Sequence, residues 1–418
     1  MIDLARAHRP LAAELVAAFE RVVRDGCFIL GEEVAAFERE VARAIGVEHA
    51  VGMSSGTDAL LAALLELDLE AGDEVLCPAF TFFSTAGSVW RAGLRPAFAD
   101  VSARSFNSGR EELEARLGPR TRAIVVVHLF GRLAEMEPIL ELARSRDLAV
   151  IEDAAQALGA ADAGRQAGTF ARTGCFSFFP TKNLGGFGDG GLVTTASAER
   201  AERLRVLRNL GQGAARYVHD QVSGNFRLDA LQAALLRVKL PHLAAMNERR
   251  RDVAARYDRL FADSGLAARR EPVPGAPEGA GARSGGDAAE LDTAPLVLPE
   301  PAGEAHVFHQ YVVRILPPHR RDALRQHLTG AGIETQVYYP VPLHLQPCFR
   351  ELGYRAGTLP VAERLAGEVL ALPMHPDLAA DEQSRVVEQV AAFFARGDRS
   401  AGARRGAATL RAGSDRRA

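Results

Sequence analysis

Apolar residues recur at three- and four-residue spacing over Pro10 to Arg24 and again over Glu33 to Ala44, the mark of helices with one buried face. After Ser54-Ser55-Gly56-Thr57 a further helix runs from Asp58 to about Leu67. The pattern then changes to short apolar runs set between helical stretches. Glu74 to Cys77, Arg95 to Ala99, Ala123 to His128, Ala149 to Ile151, Cys175 to Phe178 and Gly191 to Thr195 read as strands. Such alternation predicts an α/β fold with a mostly parallel central sheet flanked by helices. A helix over Ala196 to Asn209 closes this layer, and helical spacing over Asp229 to Lys239 and Leu243 to Phe261 leads out of it.

From Ala267 to Ala305 the pattern gives way to Gly, Pro, Ala and acidic residues, which reads as a loop or linker. Beyond it, Val307 to Leu316 reads as a strand and Pro318 to Thr329, Val361 to Leu370 and Asp381 to Phe394 as helices. They predict a smaller α+β C-terminal domain. The expected division is a large N-terminal domain over 1–240, then a linking helix, the loop 267–305 and the small domain over 241–395, and a tail over 396–418. The length, 418 residues, suits two domains.

Composition adds less than pattern. With 47% hydrophobic and 25% charged residues the chain reads as globular, and no apolar run approaches the roughly 18 residues of a membrane span. The formal charge is -3, and the tail with its seven arginines is expected to be a disordered basic end over an acidic body. Neither a nucleic-acid partner nor a membrane partner is expected. Met1 to Glu20 lacks the apolar core of a secretory signal, so the expected location is the cytoplasm. Cys27, Cys77, Cys175 and Cys348 form no CxxC pair, and neither a disulfide framework nor a metal site is expected. Among 50 basic residues only two are lysines, Lys182 and Lys239. Chemistry that needs an amine therefore has two candidates.

Lys182 ends the apolar segment Ser177-Phe178-Phe179-Pro180-Thr181-Lys182-Asn183-Leu184-Gly185-Gly186. Desolvation beside aromatic groups favours a neutral amine, and a neutral lysine can attack a carbonyl to form a Schiff base. A surface lysine in a glycine-rich turn is the plainer alternative. In Ile151-Glu152-Asp153-Ala154-Ala155-Gln156 a carboxylate follows a strand, at the sheet edge where open α/β folds bind ligands. Such an aspartate can keep a pyridinium nitrogen charged, or simply cap a helix. Ser54-Ser55-Gly56-Thr57 opens a helix, whose unpaired N–H groups and dipole make an anion site. It is no P-loop, because no Gly-Lys-Ser/Thr follows. The run Gly186-Phe187-Gly188-Asp189-Gly190 invites a dinucleotide-binding reading but does not feed a helix directly.

With Gly-Thr-Asp-Ala-Leu, Glu-Asp-Ala-Ala-Gln and Ser-Phe-Phe-Pro-Thr-Lys-Asn-Leu-Gly in this order, the chain from about Met1 to Phe394 resembles the DegT/DnrJ/EryC1/StrS family of sugar aminotransferases. These depend on pyridoxal 5'-phosphate and have the fold type I architecture. The resemblance implies that Lys182 is the Schiff-base lysine and proton carrier, and that Asp153 holds the pyridinium. It matches Gln156 to a residue near the ring hydroxyl, Phe82 to the aromatic that stacks on the ring, and Gly56, Thr57 and Ser177 to phosphate ligands. Asn225, in Gly224-Asn225-Phe226-Arg227-Leu228, matches an asparagine lent by a partner subunit, which implies a homodimer with shared active sites. Arg227, His309, Tyr338 and His344 are candidate substrate contacts.

Retention of Lys182 favours transamination over the family's dehydratases, where histidine replaces it. The segment Tyr338-Tyr339-Pro340 through Pro347, with Leu372-Pro373-Met374-His375-Pro376, resembles members that aminate a 3-keto sugar on dTDP or UDP with L-glutamate as donor. A 4-keto sugar, a cyclitol ketone, or a non-catalytic regulatory protein that binds the cofactor remain alternatives.

Overall fold

A computed structural model describes residues 3–267 and 294–395. The expected basic tail, 396–418, and most of the expected linker, 268–293, lie outside the described residues. The central sheet has seven strands, β1 His49–Met53, β2 Glu74–Pro78, β3 Arg95–Ala99, β4 Thr121–Val127, β5 Ala149–Asp153, β6 Thr173–Ser177 and β7 Gly191–Thr195. Their order across the sheet is β1-β7-β6-β5-β4-β2-β3. Pairings among β2, β3, β4, β5 and β6 are parallel, and β7 runs antiparallel to both its neighbours. The mostly parallel sheet read from the sequence is thus present. Ala123 to Val127 are all buried, as expected of a strand covered on both faces.

The principal covering helices are α1 Ala12–Asp25, α2 Gly31–Ile45, α3 Gly56–Leu65, α4 Ser84–Arg91, α5 Met136–Ser145, α6 Ala198–Arg208, α7 Ala230–Lys239 and α8 Leu243–Asp263. Val34, Phe37, Val41 and Ile45 line one face of α2 and share a core with Ala230, Ala233 and Ala234 of α7. A buried ion pair ties this layer to the sheet. Glu38 of α2 accepts from the Gly52 N–H of β1 at 2.7 Å and pairs with Arg208 of α6, which also reaches the Gly52 carbonyl.

A second, antiparallel sheet joins β8 Leu296–Val297, β9 Tyr311–Ile315 and β10 Val369–Leu372. It packs with α8, α9 Arg320–Gly330 and α11, residues 380–395, around Tyr257, Phe261, Tyr311 and Leu324. No helix among the described residues is long and apolar enough to cross a membrane.

Several elements differ from the sequence reading. The helix expected over Val361 to Leu370 is two elements, α10 Pro360–Glu368 and then β10. Val-Leu-Ala-Leu is fully buried there and pairs with Tyr311 to Arg314, and ladder bonds override helical spacing. The strand expected over Val307 to Leu316 shortens to β9, because the backbone from Val307 to Gln310 turns instead to Gly131 and Phe130. Within the expected loop 267–305, Leu296–Val297 adds an edge to the small sheet. β1 was not anticipated, and α4 and α5 fill helical stretches that were expected between the strands without bounds. Strand β5 continues through Glu152 and Asp153, which brings both carboxylates into the sheet.

Candidate active site

The carboxyl ends of the parallel strands, the start of α3 and the segment after β6 converge on one cavity of about 450 Å³. Ser55 caps α3, its Oγ accepting from the Asp58 N–H at 3.0 Å, while the Asp58 carboxylate accepts from the Ser54 and Ser55 hydroxyls. The amides of Gly56 and Thr57 lie in the first turn, where an α-helix offers no internal acceptor. Both residues line the cavity. A Cβ on Gly56 would stand 2.7 Å from the Ser177 Cβ, so only glycine lets the helix start lie against the end of β6. The Thr57 and Ser84 hydroxyls bond at 2.6 Å.

Lys182 lies in a turn closed by bonds from its own N–H to the Phe179 carbonyl and from the Gly186 N–H to the Phe178 carbonyl. Three side chains from the helices behind clamp this turn. Gln232 accepts from the Phe187 N–H at 2.8 Å, Asn247 accepts from the Asn183 amide at 2.8 Å, and Lys239 donates to the Gly185 carbonyl. Lys239 thus buttresses the turn that carries Lys182. Its amine is buried and also lies 3.3 Å from His8 Nε2. Desolvation lowers the Lys182 ammonium from 10.5 to about 8, with the Asp153 carboxylate acting in the opposite direction.

Asp153 is buried, and burial raises its carboxyl above the usual range. Opposing this, the Thr85 hydroxyl donates to Oδ2 at 2.8 Å and the Ala155 N–H to Oδ1 at 3.3 Å. The adjacent Glu152 points to the other face of the sheet, as strand alternation requires. It accepts from the N–H groups of Gly168, Phe170 and Ala171 and from His128 Nε2 at 3.0 Å. The Ala134 N–H donates to His128 Nδ1, so the ring proton sits on Nε2. Gln156 is oriented by the Phe130 N–H, which bonds its Oε1 at 2.6 Å, and its Nε2 reaches the Tyr339 hydroxyl at 3.3 Å.

Of the residues singled out in the sequence, Gly56, Thr57, Phe82, Asp153, Gln156, Ser177, Lys182, His309 and Tyr338 all line this cavity. The Phe82 ring is 55% exposed, at the mouth. His309 is buried, and its Nδ1 has no hydrogen-bond partner among the described residues. Burial first, then the charges of Lys182 and Arg250, hold its imidazole neutral.

Three candidates lie elsewhere. Asn225 is exposed and outside the lining, and Arg227 turns to the Asn209 side chain at 2.7 Å. His344 corrects the sequence reading: it is buried away from the cavity, its Nε2 held by Glu363 at 3.1 Å. Two sequence-adjacent tyrosines and a histidine in one segment gave no means of telling which faced inward. Thr81, Thr85, His128, Gln310 and Tyr339 were missed. Apart from the neighbouring Phe82, His309 and Tyr338, nothing local marks them.

The donor set suits a pyridoxal 5'-phosphate site, with a helix start for a phosphate, a buried carboxylate and an amine made less basic by burial, all on one cavity. The sequence model of the DegT/DnrJ/EryC1/StrS aminotransferase family matches residues 10–278 and 288–391. A protein of Geobacillus stearothermophilus named pleiotropic regulatory protein is 42% identical over 394 residues, 94% of this chain and 98% of that one. The UDP-N-acetyl-3-dehydro-alpha-D-glucosamine 3-aminotransferase of Acidithiobacillus ferrooxidans is 43% identical over 388 residues, covering 92% and 95%. Among solved structures, S. venezuelae DesV in complex with a ketimine intermediate superposes with a TM-score of 0.83 at 39% identity, over 94% of this chain and 97% of that one. The amine, the carboxylate and the helix start thus stand in a chain that belongs to the DegT/DnrJ/EryC1/StrS aminotransferase family and is a pyridoxal-phosphate-dependent aminotransferase.

Proposed function

We propose that the protein moves the amino group of L-glutamate to the C3 ketone of a hexose linked to UDP or dTDP. The convergence of Lys182, Asp153 and the α3 start on one cavity carries the reading. The 3-aminotransferase named above supports C3 and the nucleotide link. The relative named as a regulator does not favour a non-catalytic role here, because Lys182 and Asp153 are both present and share one cavity.

The residues fit the cofactor: the α3 start and Ser177 would hold its phosphate, Asp153 its ring nitrogen, Gln156 the ring hydroxyl side and Phe82 the ring face. Bound there, pyridoxal phosphate supplies an electron sink and a carbon that accepts and returns an amino group. Lys182 does the remaining work. Its amine, made less basic by burial, would hold the cofactor through its carbonyl carbon and would take and return protons at Nζ in both half-reactions. Asp153 would keep the ring nitrogen protonated by its negative charge, which is worth more in a buried site than in water. The position of His309 and Tyr338 on the cavity wall supports a role for both in meeting the sugar.

The reading includes a homodimer in the cytoplasm. Asn225, exposed and outside its own cavity, supports a site completed by a partner. So do Val16, Phe19 and Val23, an exposed apolar stripe on α1. Mixing inactive Lys182→Ala and Asn225→Ala proteins should restore activity, since one of the two sites in a mixed dimer is then whole. No recovery on mixing counts against shared sites.

The decisive experiment is the visible absorption of the cofactor-loaded protein, before and after L-glutamate, then after nucleotide-linked 3-keto and 4-keto sugars. Loss of the band with glutamate and its return with a 3-keto sugar is expected. Return only with a 4-keto sugar or a cyclitol ketone would replace the acceptor, and no response to any amino donor would sink the transaminase reading.

A further inference from the structure

Asp153 does not face the cavity alone. Behind its Oδ2 stands Thr85, fully buried in α4, with its hydroxyl 2.8 Å away. The Thr85 hydroxyl is in turn 3.3 Å from that of Thr81, which is also buried and lines the cavity beside Phe82. Thr81 lies in the turn after β2 and Thr85 in the first turn of α4, which follows that turn. A hydroxyl has one proton to give. A carboxylate has none, so Thr85 must donate to Asp153, and its oxygen is then left to accept from Thr81. The bond order Thr81 to Thr85 to Asp153 is therefore fixed while Asp153 is ionised. It reverses when Asp153 carries a proton on Oδ2.

We propose that Thr81 and Thr85 form a directed hydroxyl relay that holds Asp153 ionised and locks its Oδ2, leaving Oδ1 to serve the ring nitrogen. Both threonines are positioning residues for the aminotransferase reaction, acting through Asp153. The inference rests on the proposed role of Asp153 toward the cofactor. Other donors at the carboxylate are too few to replace the relay. Among the described residues, Oδ1 receives only the longer Ala155 N–H bond at 3.3 Å. His128, the nearby imidazole, is committed to Glu152 and Ala134. Burial drives Asp153 toward the neutral acid, and the Thr85 bond is the largest influence against it, followed by Ala155, Lys182 and His128. Placing the donor on a helix packed beneath the strand end fixes it without occupying the cavity.

The test compares Thr85→Val, which keeps the shape and removes the hydroxyl, with Thr85→Ser, which keeps the hydroxyl, and with Thr81→Val and Asp153→Asn. The first readout is the carboxyl ¹³C titration of Asp153 in cofactor-free protein, and the second is the dissociation constant of pyridoxal phosphate with the pH titration of its visible band. In Thr85→Val the Asp153 midpoint should rise by a unit or more and cofactor affinity should fall about tenfold. Thr81→Val should move both in the same direction by less, and Thr85→Ser should restore wild-type values. Thermal melts of each variant separate these effects from misfolding, and restoration by serine would not follow if packing alone mattered. An unmoved Asp153 midpoint in Thr85→Val overturns the relay. If Asp153→Asn loses cofactor affinity while Thr85→Val does not, the relay fails and the role of Asp153 stands. If Asp153→Asn also behaves as wild type, that role falls and the relay with it.

Discussion

Cofactor-free protein should react with pyridoxal phosphate along a pH profile centred near 8, far below a solvated lysine. The perturbation is pH acting on the Lys182 amine, which desolvation lowers from 10.5 to about 8 against the opposing charge of Asp153. Only the neutral amine attacks a carbonyl. At pH 7.5 its neutral fraction is then about one quarter, against about one in a thousand for an amine of ordinary basicity, roughly a two-hundredfold advantage. Stopped-flow absorbance at fixed pyridoxal phosphate gives the rate at each pH. Lys239 is brought to about 8 by the same burial, so Lys182→Ala serves as the blank. Asp153→Asn adds a check of sign: it removes the charge that favours the ammonium, so the midpoint should fall. A wild-type midpoint above about 9.5, or an upward shift in Asp153→Asn, would refute the reasoning.

Three further outcomes can be measured. Glu38→Ala leaves Arg208 buried without its carboxylate and should cost about 3–5 kcal/mol in urea unfolding; a loss under about 1 kcal/mol would mean the pair is dispensable. Gly56→Ala puts a methyl 2.7 Å from Ser177 Cβ, and should weaken cofactor binding by roughly 1–3 kcal/mol in equilibrium titration. Undiminished affinity would show that the phosphate is not held at that helix start. His306 is buried, accepts the Phe308 N–H at Nδ1, and is lowered by burial to about 3. Between about pH 3 and 6.5 the unfolded chain binds the proton and the folded one does not, so stability falls on acidification by up to about 5 kcal/mol. His306→Gln should flatten that acid limb of the unfolding curve, and an unchanged limb would assign acid sensitivity elsewhere.

Local chemistry made Lys182, Asp153 and Gly56 candidates but left a surface lysine, a helix cap and an ordinary helix start open; the order of the three motifs, and then the one cavity that all three line, drew them together. An amine ends an apolar run, a carboxylate follows a strand, and a small-residue turn opens a helix. The mostly parallel sheet was legible for a related reason: five-residue apolar strands between helices have few ways to bury both faces. Local pattern fails where long-range pairing decides. Val369 to Leu372 follow a helix without a break, and only the ladder with β9 makes them a strand. Thr85 and His128 look like ordinary buried polar residues until the fold brings one to Asp153 and the other to Glu152. Tyr338 and His344 are six positions apart in one segment, yet the first lines the cavity and the second pairs with Glu363. The sequence determined which chemical groups the protein owns and the layers that carry them. The tertiary structure alone decided which groups meet, because distances of about 3 Å between residues remote in the chain are set by packing.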